Sequence, residues 1–478
     1  MIDTQAVKIK ILNLAMRGQL TEQIPEESAE ELYDEIIKEK ARLVKEGRIK
    51  KEKPLGDISN EDAPFEIPAN WKWVYFGEIF SHNTGKALNA SDNEGNLLEY
   101  ITTSNMYWDH FELDNLKKMY FKDDEIEKCT IKKGDLLICE GGDIGRSAIW
   151  DFPYEMRIQN HIHKLRPYLS SLSPIFYYYV MMLYKASNLI NGQGIGLQGF
   201  SSKRVHTLVV PLPPASEQTR IVQRIEEVFE ILDKIDTLQD QYASNQEALK
   251  SKLVDAAIQG KLTEQLPEDG TAEELYQKIQ EVKRSLVKEG KIKKEKPLPE
   301  ASEDEIPFEI PSNWRWVRIS EVIDVRDGTH DSPKYHNEGI PLVTSKNISG
   351  GKLSFDDVKL ISALDAQKIN ERSYVDDGDI LFAMIGSIGN PVIVHKDRDF
   401  CIKNVALFKN FAPMHISMDY FYWFLMHEQY VLRKNAIGGL QPFVSLKVFR
   451  NHLMPLPPIS EQIRIADRLY ELMDTVSE

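Results

Sequence analysis

The side chains best placed for chemistry in this chain are ones that read rather than ones that cut. Thr103-Ser104-Asn105 and Thr344-Ser345-Lys346-Asn347 follow short apolar runs, Gln159-Asn160 and Lys403-Asn404 precede others, and Gln198 has a counterpart in Gln441. Asn and Gln can hold adenine through two hydrogen bonds, and Arg or Lys can hold guanine in the same way. These are also ordinary turn residues, so no single one decides the matter; their return at equivalent places marks the regions. Lys86, Arg146, Ser201, Lys203, Arg204, Thr329, His330, Ser387, Ser445 and Lys447 flank the same regions and complete the candidate DNA contacts.

Catalytic patterns are poorly represented. Gly194-Ile-Gly196-Leu-Gln-Gly199 fits GxGxxG, but a dinucleotide fingerprint needs a strand before it and a helix after it. Here an aromatic helix precedes, Val-Val-Pro-Leu-Pro-Pro follows, and the sibling stretch Ile437-Gly-Gly-Leu-Gln-Pro-Phe443 lacks the pattern. There is no phosphate-loop GxxxxGKS/T, no HExxH, no paired CxxC, no GxSxG, and no Asn/Asp-Pro-Pro-aromatic motif of an adenine methyltransferase. Asp135 and Asp379 stand in a repeated Gly-Asp turn, where turn-making is the default role. His161, His163 and His330 have no evident ligand partners, and Cys129, Cys139 and Cys401 suggest neither a disulfide framework nor a zinc site. The expectation is a chain without catalytic residues, metal site or cofactor of its own.

The elements that must position the reading residues are themselves written twice. Gly18-Gln-Leu-Thr-Glu-Gln23 returns as Gly260-Lys-Leu-Thr-Glu-Gln265, Pro64-Phe-Glu-Ile-Pro68 as Pro307-Phe-Glu-Ile-Pro311, and Trp71-Lys-Trp73 as Trp314-Arg-Trp316. Pro211-Leu-Pro-Pro214 returns as Pro455-Leu-Pro-Pro458, each followed by Ser-Glu-Gln. Two copies make a pseudo-dimer in one polypeptide, which suits a partner that is itself nearly two-fold, duplex DNA above all. The expected organisation is an N-terminal helical region over 1–70, a first recognition domain over 71–212, a central helix and helical hairpin over 213–306, a second recognition domain over 307–457 and a closing helix over 458–478. Each domain reads as short β-strands with turns and then an aromatic-rich helix, an α/β fold of the α+β kind with mixed β structure. Gly134-Asp-Leu-Leu-Ile138 matches Gly378-Asp-Ile-Leu-Phe382, yet Ser81 to Asn96 is rich in Asn and Gly where Arg326 to Gly339 contains Gly-Thr-His-Asp-Ser-Pro-Lys-Tyr-His. One scaffold with two sets of loops predicts two targets.

From Ser216 to about Gln259 there is neither proline nor glycine, and Ile221, Ile225, Val228, Leu232, Ile235, Tyr242, Leu249, Leu253 and Ala256 follow the spacing of a coiled-coil seam. Such a helix would reach roughly 65 Å at 1.5 Å per residue. Its second copy is divided between the chain ends. Ile465, Leu469, Leu472 and Val476 reproduce Ile221, Ile225, Val228 and Leu232, while Val7, Ile11 and Leu14 reproduce Leu249, Leu253 and Ala256. Both ends are therefore expected to lie antiparallel along the central helix in a circularly closed, pseudo-two-fold arrangement. Charged helices over Ala29 to Glu46 and Ala272 to Glu289 precede two lysine-rich runs, which read as solvated helix ends.

A net charge of −15 counts against a nucleic-acid binder acting alone, because phosphate affinity ordinarily comes from a basic surface. The acidic residues crowd into the connectors, at Glu22 to Glu35, Glu264 to Glu274 and Glu300 to Glu309. Acidic connectors point to a basic companion subunit. The longest apolar stretches, near Ile175 to Tyr184 and Tyr420 to Met426, are too short to cross a bilayer. With no signal-like opening, the expected location is the cytoplasm.

Together, the repeated Gly-x-Leu-Thr-Glu-Gln helix end, the entry at Ile306 to Val317, the two Pro-Leu-Pro-Pro-x-Ser-Glu-Gln exits and Asp327-Gly-Thr-His-Asp-Ser-Pro333 are distinctive. They resemble the specificity subunit of type I restriction-modification systems across essentially the whole chain. The resemblance implies two target-recognition domains held apart by two antiparallel helices, each domain reading one half of a bipartite asymmetric site in double-stranded DNA. It implies two methyltransferase subunits docked on the helices, methylating adenine N6 from S-adenosylmethionine after base flipping. It also implies two restriction subunits, which would bring ATP and Mg. A stand-alone DNA-binding regulator is the alternative, and it would have to bind tightly without companions against the net acidity.

Overall fold

The computed structural model describes residues 1–59, 61–89, 93–190, 199–294, 298–434, 436 and 442–477. The chain divides into two units, Met1–Asp240 and Gln241–Glu478.

In the first unit, helix Thr4–Met16 starts on Asp3, whose carboxylate accepts from the Ala6 N–H. Helix Ala29–Lys45 starts on Ser28, with Glu30 and Glu31 in its first turn and Arg42 and Lys45 in its last, the charge order a helix dipole favours. Strand Lys72–Tyr75 then pairs antiparallel with Val209–Leu212, so the recognition domain begins and ends on adjacent strands. Between them lie two four-stranded sheets. One is antiparallel, in the order Phe80–Thr84, Ile162–Pro167, Leu136–Cys139, Ser147–Ile149. The other is mixed, in the order Lys117–Phe121, Asn96–Ile101, Met156–Ile158, Thr130–Ile131, with Tyr100 and Arg157 in a parallel pair. Helix Pro174–Ala186 buries Phe176, Tyr177, Val180 and Tyr184 against Phe76, Phe80, Leu136 and Ile138.

The second unit repeats the plan. Strand Arg315–Arg318 pairs with Leu453–Leu456. An antiparallel sheet runs Asp324–Asp327, Val405–Lys409, Ile380–Ala383, Gly389–Ile393. A mixed sheet runs Tyr335–His336, Lys359–Ile361, Ile340–Val343, Cys401–Ile402. Helix Met418–Lys434 supplies the aromatic layer with Tyr420, Phe421, Trp423 and Phe424.

One helix, Ala215–Ile258, runs unbroken for 44 residues. In the first unit the N-terminal helix lies antiparallel to it: the Ile2 N–H donates to Gln239 (2.5 Å), Thr4 Oγ1 to Asp236 (2.6 Å), and Lys8 pairs with Asp233 (2.5 Å). In the second unit, helix Ile459–Ser477 runs antiparallel to the far part, where Gln246 Nε2 donates to the Val476 carbonyl (2.6 Å).

The seam expected from the spacing is only partly the one that packs. Ile221, Ile225 and Leu232 are buried, as are Ile465 and Leu469. Val228, Ile235, Leu253 and Leu472 are half-buried, whereas Tyr242 and Leu249 are 57% and 46% exposed. The buried residues near the helix end are instead Val254, Ala257 and Ile258, and in the N-terminal helix Leu12, Ala15 and Met16 rather than Leu14. These turns face their own recognition domain, beside Trp314 and Val317 in one unit and Trp71 and Val74 in the other, so the domain sets the buried face there.

Candidate nucleic-acid interface

The repeated motifs meet at one joint in each unit. Glu217, fully buried at the start of the long helix, accepts from Trp71 Nε1 (2.7 Å) and from Gln23 Nε2. In the second unit Glu461 accepts from Trp314 Nε1 (2.8 Å) and Gln265 Nε2 (2.8 Å). The next residue works in the other direction. Gln218 Oε1 accepts from the Ser173 N–H (2.9 Å) while its amide donates to the Pro213 carbonyl (2.9 Å). Gln462 does the same with Ser417 and Pro457, both at 2.9 Å. Arg220 pairs with Glu27, and Arg464 with Asp269. Thus Gly-x-Leu-Thr-Glu-Gln, Trp-x-Trp and Ser-Glu-Gln form a single hydrogen-bonded joint fixing helix to domain. Burial pushes the Glu217 carboxyl above its ordinary range, against the pull of Trp71 and Gln23.

On this base the candidate loops are stitched together by main-chain bonds. In the first unit the Asn160 N–H donates to Lys86 (2.9 Å), Gln159 to Ile101 (3.0 Å), Glu140 to His161 (2.9 Å) and Phe200 to Glu140 (2.8 Å). Arg146 Nη2 reaches the Thr103 carbonyl at 2.6 Å. The loops carrying Lys86, Thr103 to Asn105, Arg146, Gln159-Asn160 and Ser201 therefore form one cluster. In the second unit Lys403 donates to Val343 (2.8 Å), Asn404 to Thr329 (3.1 Å) and Val444 to Met384 (3.0 Å). That gathers Thr329-His330, Ser345 to Asn347, Ser387, Lys403-Asn404 and Ser445 in the same way.

The model of the family described as "Type I restriction modification DNA specificity domain" matches residues 68–241 and again 311–477, one match for each copy. The chain belongs to that family. Its curated relatives include the EcoAI type I restriction enzyme specificity subunit of Escherichia coli, 29% identical over 98% of this chain and 88% of the relative. The EcoEI specificity subunit of Escherichia coli is 27% identical over 95% and 86%. Among solved structures, the HsdS subunit from Thermoanaerobacter tengcongensis is similar with a TM-score of 0.54 at 18% identity, over 87% of this chain and 92% of that one. A chain from a study of assembly and conformational transition in the type I R-M system reaches a TM-score of 0.58 at 18% identity, over 87% and 93%. These two neighbours share the fold.

Within this specificity-domain chain, the candidate side chains sort into two groups. Ser104, Lys203, His330, Lys346, Ser387 and Lys447 are exposed, and Thr103, Gln159, Asn160, Ser201, Arg204, Thr329, Ser345, Lys403, Asn404 and Ser445 half-buried. Four others are engaged within the loops themselves. Asn105 Oδ1 accepts from the Thr102 N–H and hydroxyl, both at 2.9 Å, and its amide donates to the Glu112 carbonyl. Asn347 repeats this with Thr344 and Asp356 and is buried. The Lys86 ammonium, its side chain 8% exposed, binds Glu125 and the Tyr120 carbonyl. Arg146 is spent on Thr103, with its guanidinium 5.3 Å from the Tyr107 ring centre. Gln198, Gln441 and the Gly194–Gly196 stretch lie outside the described residues.

The repeated Gly-Asp turns do more than turn. Asp135 accepts from the Lys132 N–H and pairs with Arg166 at 2.6 and 2.7 Å, while Asp379 accepts from the Asp376 N–H and pairs with Lys409 at 2.5 Å. Sequence reasoning missed these pairings because their partners lie some thirty residues away along the chain, on a neighbouring strand. All three cysteines are buried and unpaired, and burial pushes the Cys139 and Cys401 thiols up to about 11, which makes them poor nucleophiles. Among the described residues no helix is long and apolar enough to cross a membrane.

Proposed function

We propose that this chain is the DNA-reading subunit of a type I restriction-modification complex, in which each unit reads one half of a bipartite asymmetric site. The observation that carries this is the double family match over two copies whose frames coincide while their loops differ. The long helix would set the gap between half-sites and dock two methyltransferase subunits. Support for docking comes from apolar side chains left in water: Ile231 with Leu238, and Tyr242 with Leu249, all 46–62% exposed. Each pair is seven residues apart, two turns along one helix face, the spacing a partner helix uses.

Adenine-N6 methylation would occur in the partner with S-adenosylmethionine, and cleavage in two restriction subunits with ATP and Mg, while this chain catalyses nothing. Companion subunits would also supply the positive charge that a chain of −15 lacks. The test is co-expression with the neighbouring methyltransferase in a host without adenine methylation, read by modification-sensitive long-read sequencing. A gapped two-part motif that disappears when this chain is omitted is the expected result. A chain that binds one uninterrupted sequence tightly by itself would instead be a stand-alone regulator. For docking, Leu238→Asp should abolish co-purification with the methyltransferase while leaving the melting temperature within about 2 °C, since exposed substitutions usually change stability by under ~0.5 kcal/mol.

A further inference from the structure

In the second unit, a loop is clamped at both ends and loaded in the middle with unengaged side chains. At one end Gly328 passes so close to strand Cys401–Ile402 that a Cβ would collide with the Ile402 carbonyl. At the other, Gly339 has φ +144° and a Cβ there would strike the Ile361 carbonyl. Between them the first half of the loop is tied down. His330 Nε2 donates to the buried Asp327 (2.9 Å), its Nδ1 lies 2.9 Å from Asn404 Oδ1, the Asp331 N–H donates to Thr329 Oγ1 (3.1 Å), and Lys403 reaches the Ser332 hydroxyl. After Pro333 the ties to side chains end. Tyr335 and His336 form the outer strand of the mixed sheet, pairing through their backbones with Ile361 and Leu360. Tyr335 is 45% exposed, Lys334, His336 and Asn337 are exposed too, and among the described residues no hydrogen bond, ion pair or ring contact engages any of the four side chains.

The first unit uses the same clamps. Gly85 abuts the Ile158 carbonyl, and Gly95, at φ +101°, abuts that of Phe121. Yet the residues between read Lys-Ala-Leu-Asn-Ala-Ser-Asp-Asn-Glu where the second unit has Thr-His-Asp-Ser-Pro-Lys-Tyr-His-Asn-Glu. Identical fixings with different contents are what a reading loop requires. A rigid frame removes the ordering cost, and the variable part carries the discrimination. An aromatic ring, an imidazole, an amide and an ammonium are also groups able to stack on bases or bond their edges.

We infer that Tyr335 and His336, presented by the loop between Gly328 and Gly339, are specificity-determining residues for the half-site read by the second unit. This rests on the DNA-reading function proposed above. It is tested in the full complex with the methyltransferase by mapping adenine methylation for Tyr335→Ala, His336→Ala and an exchange of 329–338 for the sequence of 86–94. One half of the two-part motif becomes degenerate or changes, the other half and the gap stay, and methylation at the original sites falls about tenfold to a hundredfold, the worth of one good base contact. Met414→Ala, at a site 80% exposed elsewhere in the unit, leaves motif and level as they were. Unchanged motif and methylation in all three loop variants overturn the assignment, and so does relaxation of both halves together. A wild-type complex giving no motif that depends on this chain defeats the proposed function itself, and the inference with it. That outcome is distinct from a wild-type two-part motif that the variants leave intact.

Discussion

Two imidazoles stand inside the first unit where the second has a valine and an alanine. His82 and His163 occupy the ladder positions that Val325 and Ala406 occupy in the other copy. His82 Nε2 lies 2.9 Å from His163 Nδ1, and His163 Nε2 lies 2.6 Å from the Phe200 carbonyl. A carbonyl only accepts, so His163 carries its proton on Nε2 and accepts from His82 at Nδ1. Burial, reinforced by the neighbouring imidazole, pushes His82 down to about 3, and burial lowers His163 as well. The second unit instead sets two histidines against a buried carboxylate. Glu428, which burial alone would raise, is held down to about 2 by His427 and His452 at 2.7 and 2.8 Å, and His427 is raised by Glu428 and Asp255. The same frame thus tolerates a neutral relay in one copy and an ionic cluster in the other. Phe200 leads directly into Ser201 to Arg204, so the relay supports a candidate reading loop in the first unit only.

The frame itself should be where the copies respond alike and most strongly. Glu217→Leu and Glu461→Leu each strand an indole N–H without an acceptor and leave a glutamine amide only its main-chain bonds, to Gly18 or to Gly260 and Thr263, and each should destabilise its own unit by about 3 kcal/mol in urea melts. Unequal losses would show that the joints are not equivalent. Acid should separate the copies. Below about pH 6.5 an unfolded His82 takes up a proton that the folded one refuses until about 3, so stability falls as pH drops through that window. The cost is at most about 1.4 kcal/mol per pH unit for each such group, and His82→Val should flatten this dependence in the first unit. The smallest effects concern the loop builders. Asn105→Ala and Asn347→Ala should each cost about 1 kcal/mol and leave the methylated motif unchanged, whereas an altered motif would make them readers after all.

The frame was legible because its side chains are particular: only the full set of Glu217, Gln218, Trp71 and Gln23 makes the joint, so the set had to recur with Glu461, Gln462, Trp314 and Gln265. The seam was legible only as far as Leu232. Spacing reveals that apolar residues share a face, and it does not reveal whether a neighbouring helix, the recognition domain or water lies against that face, which is how Leu249 came to be placed inside. Asn105 and Lys86 show the same ambiguity in polar residues. A type able to bond a base is equally able to bond a loop, and the choice depends on partners such as Glu112 and Glu125 contributed from other segments. The His82–His163 relay lay beyond sequence reasoning for that reason, its members being 81 residues apart.

Each recognition domain enters on one strand and leaves on the strand beside it, Lys72–Tyr75 against Val209–Leu212 and Arg315–Arg318 against Leu453–Leu456. Neighbouring strands run only about 5 Å apart. Seen from the helical frame, everything between those strands is a cassette with its two pins side by side, so recombination at the pins can insert a cassette of quite different size and content without stretching the frame.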